Sequence, residues 1–278
     1  MQPLEANGIT INVQQWGDAE APAVVLLHDH AEDLRAWMGC IPSLAAEYRV
    51  IAPDLRGHGL TTAPEDPADY AIETFAEDLR ALLDALQVDL CALVGTGLGG
   101  IVAANFATLH PDHVAALALS DTALAHDDPA YDDATRAAIA ARAEAHAQVE
   151  RIGSTGLGRR RALTVRDDFL ASAIRRRYAA LKTDGYLGAA HAIATRPNLL
   201  PTIGERLTMP VLIVTGEHDE ARGATLELAN RLPAARVVTF RGNGYGVPTH
   251  DPEGFVSTLL QFFADVEQHK PVAGRRTI

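Results

Sequence analysis

Between Leu90 and Leu109 the chain reads as an apolar run, Leu90-Cys91-Ala92-Leu93-Val94, then Gly95-Thr96-Gly97-Leu98-Gly99-Gly100, then a helix-forming stretch from about Leu98 to Leu109. A second apolar run follows at once, Val114 to Leu119. A buried strand that turns through glycines into a helix, with another buried strand behind it, implies parallel neighbours joined by a crossover helix. Such a chain folds as a parallel sheet with helices on its faces, and the remaining sequence has to agree with that.

Both ends of the chain do agree. Ile9 to Gln14 alternates apolar and polar residues like a half-buried strand, and Ala23 to Leu27 is continuously apolar like a buried one. A helical stretch is expected around Asp33 to Tyr48, followed by a strand at Arg49-Val50-Ile51-Ala52-Pro53-Asp54 that ends at Pro53. From Ile72 to Leu86, apolar residues at Ile72, Phe75, Leu79, Leu82, Leu83 and Leu86 predict a helix with one core-facing stripe. Alternation resumes late in the chain with Val211 to Thr215, Thr225 to Leu232, Val237 to Phe240 and Pro252 to Val266.

The interruption, Thr122 to about Leu207, shows no convincing strand. Helices are expected there at Asp133 to Glu150, Asp167 to Leu181 and Gly185 to Thr195, punctuated by Gly153 to Gly158 and by Arg196-Pro197. The expected organisation is a core from residues 1–121 and 208–278, a helical lid inserted at 122–207, and a disordered tail after Gln268.

A chain of 278 residues is long enough to bury such a core. Its 24 basic and 36 acidic residues give a net charge of −12, which repels a phosphate backbone, so no nucleic-acid partner is expected. Two cysteines, Cys40 and Cys91, are too few for a disulfide framework. The start, Met1-Gln2-Pro3-Leu4-Glu5, lacks a basic region followed by an apolar one, and no window reaches the length of a bilayer span. A cytoplasmic protein with no membrane partner is expected.

Five segments in order make the chain resemble the α/β-hydrolase superfamily along essentially its whole length. They are Leu26-Leu27-His28-Asp29-His30, Ala52-Pro53-Asp54-Leu55-Arg56-Gly57-His58-Gly59, Val94-Gly95-Thr96-Gly97-Leu98-Gly99-Gly100, Val214-Thr215-Gly216-Glu217-His218-Asp219 and Gly242-Asn243-Gly244-Tyr245. The resemblance implies a mostly parallel eight-stranded sheet flanked by helices. It also implies a nucleophile elbow of the form Gly-x-Ser-x-Gly. Here Gly97 stands at the serine position and Tyr245 at the histidine position, while Asp219 keeps the acid: a degenerate triad. Glycine offers no atom on which a covalent intermediate could form. The family's His-Gly pair is His28-Asp29, which brings a carboxylate to the place where an oxyanion would be stabilised.

The resemblance therefore points to Tyr245, His250 and Asp219 as catalytic candidates, with Asp29, His30, Gly97 and Leu98 forming the pocket and oxyanion loop. Tyr245 would line the pocket as hydrogen-bond donor or acid. His250 either anchors the loop ahead of Asp251-Pro252 or turns inward as a base paired with Asp219. Asp29 opposes anion binding unless it is protonated, turned away or paired with His30. The spacing His28-x-His30 would suit zinc, but the other motifs specify a different fold, so neither metal nor cofactor is expected. The acidic run Asp127, Asp128, Asp132, Asp133 reads as helix capping. The triplets Arg159-Arg160-Arg161 and Arg175-Arg176-Arg177 read as solvated faces, with an anionic contact as the alternative. Three functions stay open: an enzyme acting on a small organic molecule without a serine nucleophile, by acid/base chemistry (lyase, isomerase, cyclase or cofactor-free oxygenase) or by direct water activation; a catalytically inactive pseudohydrolase with a ligand-binding or scaffolding role; and an atypical esterase or lactonase. The partner is a small molecule in the first case, and a homodimer is open in all.

Overall fold

The structure is a computed structural model and describes residues 2–163 and 168–278. Nine strands, β1 (Gln2–Ala6), β2 (Ile9–Trp16), β3 (Ala23–Leu27), β4 (Arg49–Pro53), β5 (Cys91–Thr96), β6 (Val114–Ser120), β7 (Val211–Gly216), β8 (Arg236–Phe240) and β9 (Gly274–Thr277), form one sheet in the order β1-β2-β4-β3-β5-β6-β7-β8-β9. β2 pairs antiparallel with β1 and β4, and every other neighbouring pair is parallel. The helices are α1 (Ile41–Leu44), α2 (Ile72–Ala85), α3 (Leu98–Leu109), α4 (Asp133–Ala162), α5 (Asp168–Ala179), α6 (Thr183–Thr195), α7 (Ile203–Arg206), α8 (Arg222–Arg231), α9 (Val247–His250) and α10 (Pro252–Glu267).

Each face of the sheet buries one helical layer. On one side Ile72, Phe75, Leu79, Leu82 and Leu83 of α2 join Leu27, Ile51, Leu93 and Leu117 of the strands, together with the almost wholly buried α3. On the other, Val24, Val50, Val94, Val214 and Val238 meet Trp37, Phe255, Leu259 and Phe262. The six inner strands β3 to β8 are buried on both sides, which is why they read as continuous apolar runs.

Three expectations are corrected. The sheet has nine strands, not eight, because β1 hydrogen-bonds to β2 although its sequence QPLEA carries little apolar signal. The tail after Gln268 is not disordered: β9 pairs parallel with β8, with Gly274 beside Arg236, and all four of its residues are exposed, so no hydrophobic pattern announced it. The helix expected from Asp33 to Tyr48 is broken into a single 3-10 turn at Leu34–Trp37 and the one-turn α1. Pro42 at the start of α1 has no N–H to continue the preceding turn.

Between β6 and β7 the described residues are helical, with no strand. Asp132 caps α4 by accepting the Thr135 N–H at 2.7 Å, as its acidic run suggested. α4 is broken at Gly153, where φ is 69° and ψ 166°, and then continues through Gly156 and Gly158. The expected start of the next helix at Asp167 falls outside the described residues, and α5 is described from Asp168. The loops that follow the C-terminal ends of β3, β5, β6, β7 and β8 converge beneath this helical segment. In an open parallel sheet that is where ligand sites form.

Candidate active site

The turn from β5 into α3 places Gly97 at φ 51° and ψ −116°, a region that side chains with a Cβ rarely adopt. Glycine is needed here for a second reason. A Cβ on Gly97 would overlap the carboxylate of Asp29 and the hydroxyl of Tyr245. The volume that an elbow side chain would fill is already occupied.

Its occupant comes from the loop after β3. Asp29 Oδ1 accepts the Leu98 N–H at 2.7 Å, and Asp29 Oδ2 accepts the Tyr245 O–H at 2.5 Å. Burial and the adjacent Asp29 push the Tyr245 phenol well above its usual value of 10, so it stays protonated and donates. Asp29 is thus an acceptor at both oxygens, as a carboxylate is. The loop that aims it is fixed by His28, whose Nε2 accepts the Leu55 N–H at 2.9 Å, leaving the proton on Nδ1 to be donated to the Asp29 carbonyl at 2.7 Å. Burial lowers His28 to about 4, which keeps it neutral. Asp29 is therefore neither turned away nor paired with His30. His30 donates from Nε2 to the Tyr186 carbonyl at 2.9 Å and lies against the Tyr186 ring, with 4.2 Å between centroids.

Asp219 holds a cation rather than an imidazole. Its Oδ1 accepts from Arg142 Nη2 at 2.5 Å and from the Ala221 N–H at 3.0 Å. The Arg142 guanidinium, carried by α4, also lies 4.2 Å from the Tyr245 ring centroid, a cation–π distance. Beside it Asp121, at the end of β6, accepts at Oδ2 from the Gly246 N–H and Val247 N–H, both at 3.1 Å, and from Ser120 Oγ at 2.8 Å. Burial, then the nearby Asp219, raise the Asp121 carboxyl to about 7. Asp121 pins the loop that carries Tyr245. Neither Arg142 nor Asp121 was found by motif reading. Asp121 directly follows a predicted strand on the elbow's side of the sheet, and that position was the available signal.

His250 does not enter the cleft. The left-handed Gly246, at φ 88°, starts the single turn of α9, and His250 ends that turn exposed to solvent, outside the cavity lining. The inward-turned base paired with Asp219 is thereby corrected. The residue that caps α10 is Asp251, which accepts the Gly254 N–H at 3.0 Å.

Above these groups lies a cavity of about 680 Å³. Asp29, Gly97, Leu98, Asp121, Asp219 and Tyr245 from the core and Arg142 from α4 form its polar floor, and Ile101, Ile139, Ala143, Ala190 and Ile193 its apolar walls. The floor offers a fixed carboxylate, a phenol that donates to it, and a cation held against a second carboxylate. Proton transfer is within its chemistry.

A family model described as alpha/beta hydrolase fold matches residues 22–244. The chain is 39% identical over 116 residues to epoxide hydrolase A of Mycobacterium tuberculosis, covering 41% of this chain and 36% of that protein. It is 36% identical over 121 residues to a fluoroacetate dehalogenase from a Burkholderia species, covering 42% of this chain and 39% of that protein. In both cases the match spans about two fifths or less of the relative's own length. Among solved structures, the enol-lactonase from Burkholderia xenovorans LB400 superposes with a TM-score of 0.76 at 26% identity, over 95% of this chain and all of that one.

Proposed function

Because this chain belongs to the alpha/beta hydrolase fold family, we propose that it is an enzyme of that fold which acts on a small organic molecule in the floor cavity without a serine nucleophile, using Asp29 as base and Tyr245 as acid. The observation that carries the reading is the Asp29 carboxylate seated in the elbow volume, 2.7 Å from the Leu98 N–H and 2.5 Å from the Tyr245 hydroxyl. Held there, Asp29 takes a proton from a bound water or an acidic substrate position. Tyr245 gives its own proton to the oxygen or carbon on which charge develops. The proton on Asp29 then passes along their shared hydrogen bond to the phenolate, which restores both groups. Its high pKa means that Tyr245 yields its proton only to a strongly basic site, such as a developing alkoxide.

Of the two proton-transfer modes, direct activation of water is favoured by the similarity to an epoxide hydrolase, a dehalogenase and an enol-lactonase. Residues 122–207 act in this reading as a lid over the core of 1–121 and 208–278, contributing Arg142 to the floor. One observation favours a second reading. The Leu98 N–H, which in a serine enzyme of this fold would stabilise an oxyanion, is consumed by Asp29, as suits a protein that binds its ligand without turning it over.

The test is a panel of epoxides, lactones and activated esters assayed with wild type and Asp29→Asn, alongside a fluorophosphonate probe. Turnover that fails in the variant, with no labelling of the wild type, is expected. Stoichiometric labelling of a serine, or full turnover by Asp29→Asn, would refute the assignment. A panel wholly without turnover would favour the ligand-binding reading.

A further inference from the structure

The polarity of the floor bears on what it binds. A serine enzyme of this fold presents N–H donors at the elbow and so receives a negatively charged oxygen. Here the Leu98 N–H and the Tyr245 O–H both point at Asp29, so what faces the cavity is an acceptor. The hole has been inverted. A ligand carboxylate or oxyanion placed on this floor would find its donors taken and a like charge in front of it.

The cations that line the cavity are each engaged elsewhere: Arg142 by Asp219 at 2.5 Å, Arg196 by the Ile193 and Ala125 carbonyls, and Arg161 over the Tyr178 ring. Among the described residues Asp29, like Asp121, makes no ion pair; it is held by a backbone N–H and a phenol. Asp121 and Asp219 lie on the same floor, and Glu150 and Glu220 line the cavity above it. The walls offer aliphatic carbon from Ile101, Ile139, Ala143 and Ile193.

We propose that this cavity selects small organic cations, an apolar body bearing a protonated amine that donates to Asp29. The inference rests on the preceding reading only in taking the same cavity as the ligand site. It names the substrate class that the inverted hole admits, and it holds for a binding protein as well as for an enzyme.

Calorimetric titration of the wild type with three near-isosteric probes, benzylammonium chloride, benzyl alcohol and sodium benzoate, reads the selectivity directly at neutral pH. Benzylammonium is expected to bind one per chain, at least about tenfold more tightly than benzyl alcohol, because a charge-assisted hydrogen bond replaces a neutral one. Benzoate is expected not to bind. In Asp29→Asn the amide oxygen still accepts the Leu98 N–H, and benzylammonium should fall to the affinity of the alcohol. The proposal is overturned by benzoate binding as well as benzylammonium, by ammonium binding that Asp29→Asn leaves intact, or by several ions per chain released by modest salt, which would mark attraction to the net charge alone. Should Asp29→Asn not fold, the wild-type ranking decides. Turnover of neutral substrates with no ammonium preference would sink this inference and leave the catalytic reading standing, and ammonium binding without turnover of any substrate would do the reverse.

Discussion

Replacing Gly97 by alanine adds one methyl group at a point already filled by the Asp29 carboxylate and the Tyr245 hydroxyl, so Asp29 must leave. Two contributions set the size of the effect. Holding alanine at φ 51° costs about 1–2 kcal/mol. Evicting Asp29 gives up two hydrogen bonds to a charged group, each about 1.5–3 kcal/mol, of which the water-reachable cavity returns part. The sum for Gly97→Ala is about 3–6 kcal/mol. Asp29→Ala alone leaves the Leu98 N–H and the Tyr245 hydroxyl facing a wettable cavity and costs about 1–3 kcal/mol. Once Asp29 is gone, the added methyl meets no carboxylate, so Asp29→Ala/Gly97→Ala should be no less stable than Gly97→Ala. That is a coupling of at least the Asp29→Ala cost, about 1–3 kcal/mol, between residues 68 positions apart in the chain. Equilibrium urea unfolding of the four proteins reads it. Additivity within about 0.5 kcal/mol would show that Asp29 does not occupy the elbow volume, and the account of the site would fall with it.

Other outcomes can be checked in parallel. Arg142→Met keeps the stem and removes the charge, leaving the Asp219 side chain, 1% exposed, without its ion pair. Because Arg142 itself is 35% exposed, the loss is expected at about 2 kcal/mol, between an exposed pair and the roughly 3–5 kcal/mol of a fully buried one. Asp219→Asn in the same chain should recover part of it, and a melting temperature unchanged in Arg142→Met would contradict the pairing. The Asp121 carboxyl, raised from 3.8 to about 7, binds its proton more tightly in the folded state, so it stabilises the fold at low pH and loses that contribution as pH rises to about 7. Asp121→Asn keeps an oxygen for the Gly246 and Val247 N–H groups, and it should gain on the wild type by on the order of 3 kcal/mol between about pH 4 and pH 7. His28 and His58, lowered from 6.5 to about 4, act in the opposite direction, raising stability as pH rises over about the same range, and they cancel in the comparison. A difference between the two proteins that stays constant with pH would remove Asp121 from this role.

Much of the fold was legible because its signals are local. The stripe on α2, the apolar runs of β3, β5, β6 and β7, and the glycine turn before α3 each declare themselves within a few residues. β9 did not, since its pairing with β8 is made by backbone alone and its side chains are exposed. At the proposed site, Gly97 and Tyr245 stood out in the sequence, and the groups packed around them did not. Asp29 was seen as a departure from the His-Gly pair, but its seat in the elbow depends on an absent Cβ 68 positions away. Arg142 meets Asp219 across 77 positions, from a helix with no motif of its own. His250 was misplaced because five residues allow either direction, and the left-handed Gly246 decides between them.

The shared volume at the elbow also orders history. In any line of descent from a chain with a side chain at position 97, that side chain must be lost before or together with the seating of Asp29, since the two cannot coexist. Once Asp29 is seated, the step back is barred from the other side: a serine returning to position 97 meets the carboxylate before it meets any substrate. Reversion then takes two changes, the first of them harmful in either order. The site works as a ratchet, and drift at position 97 alone does not lead back to a chain that carries a side chain there.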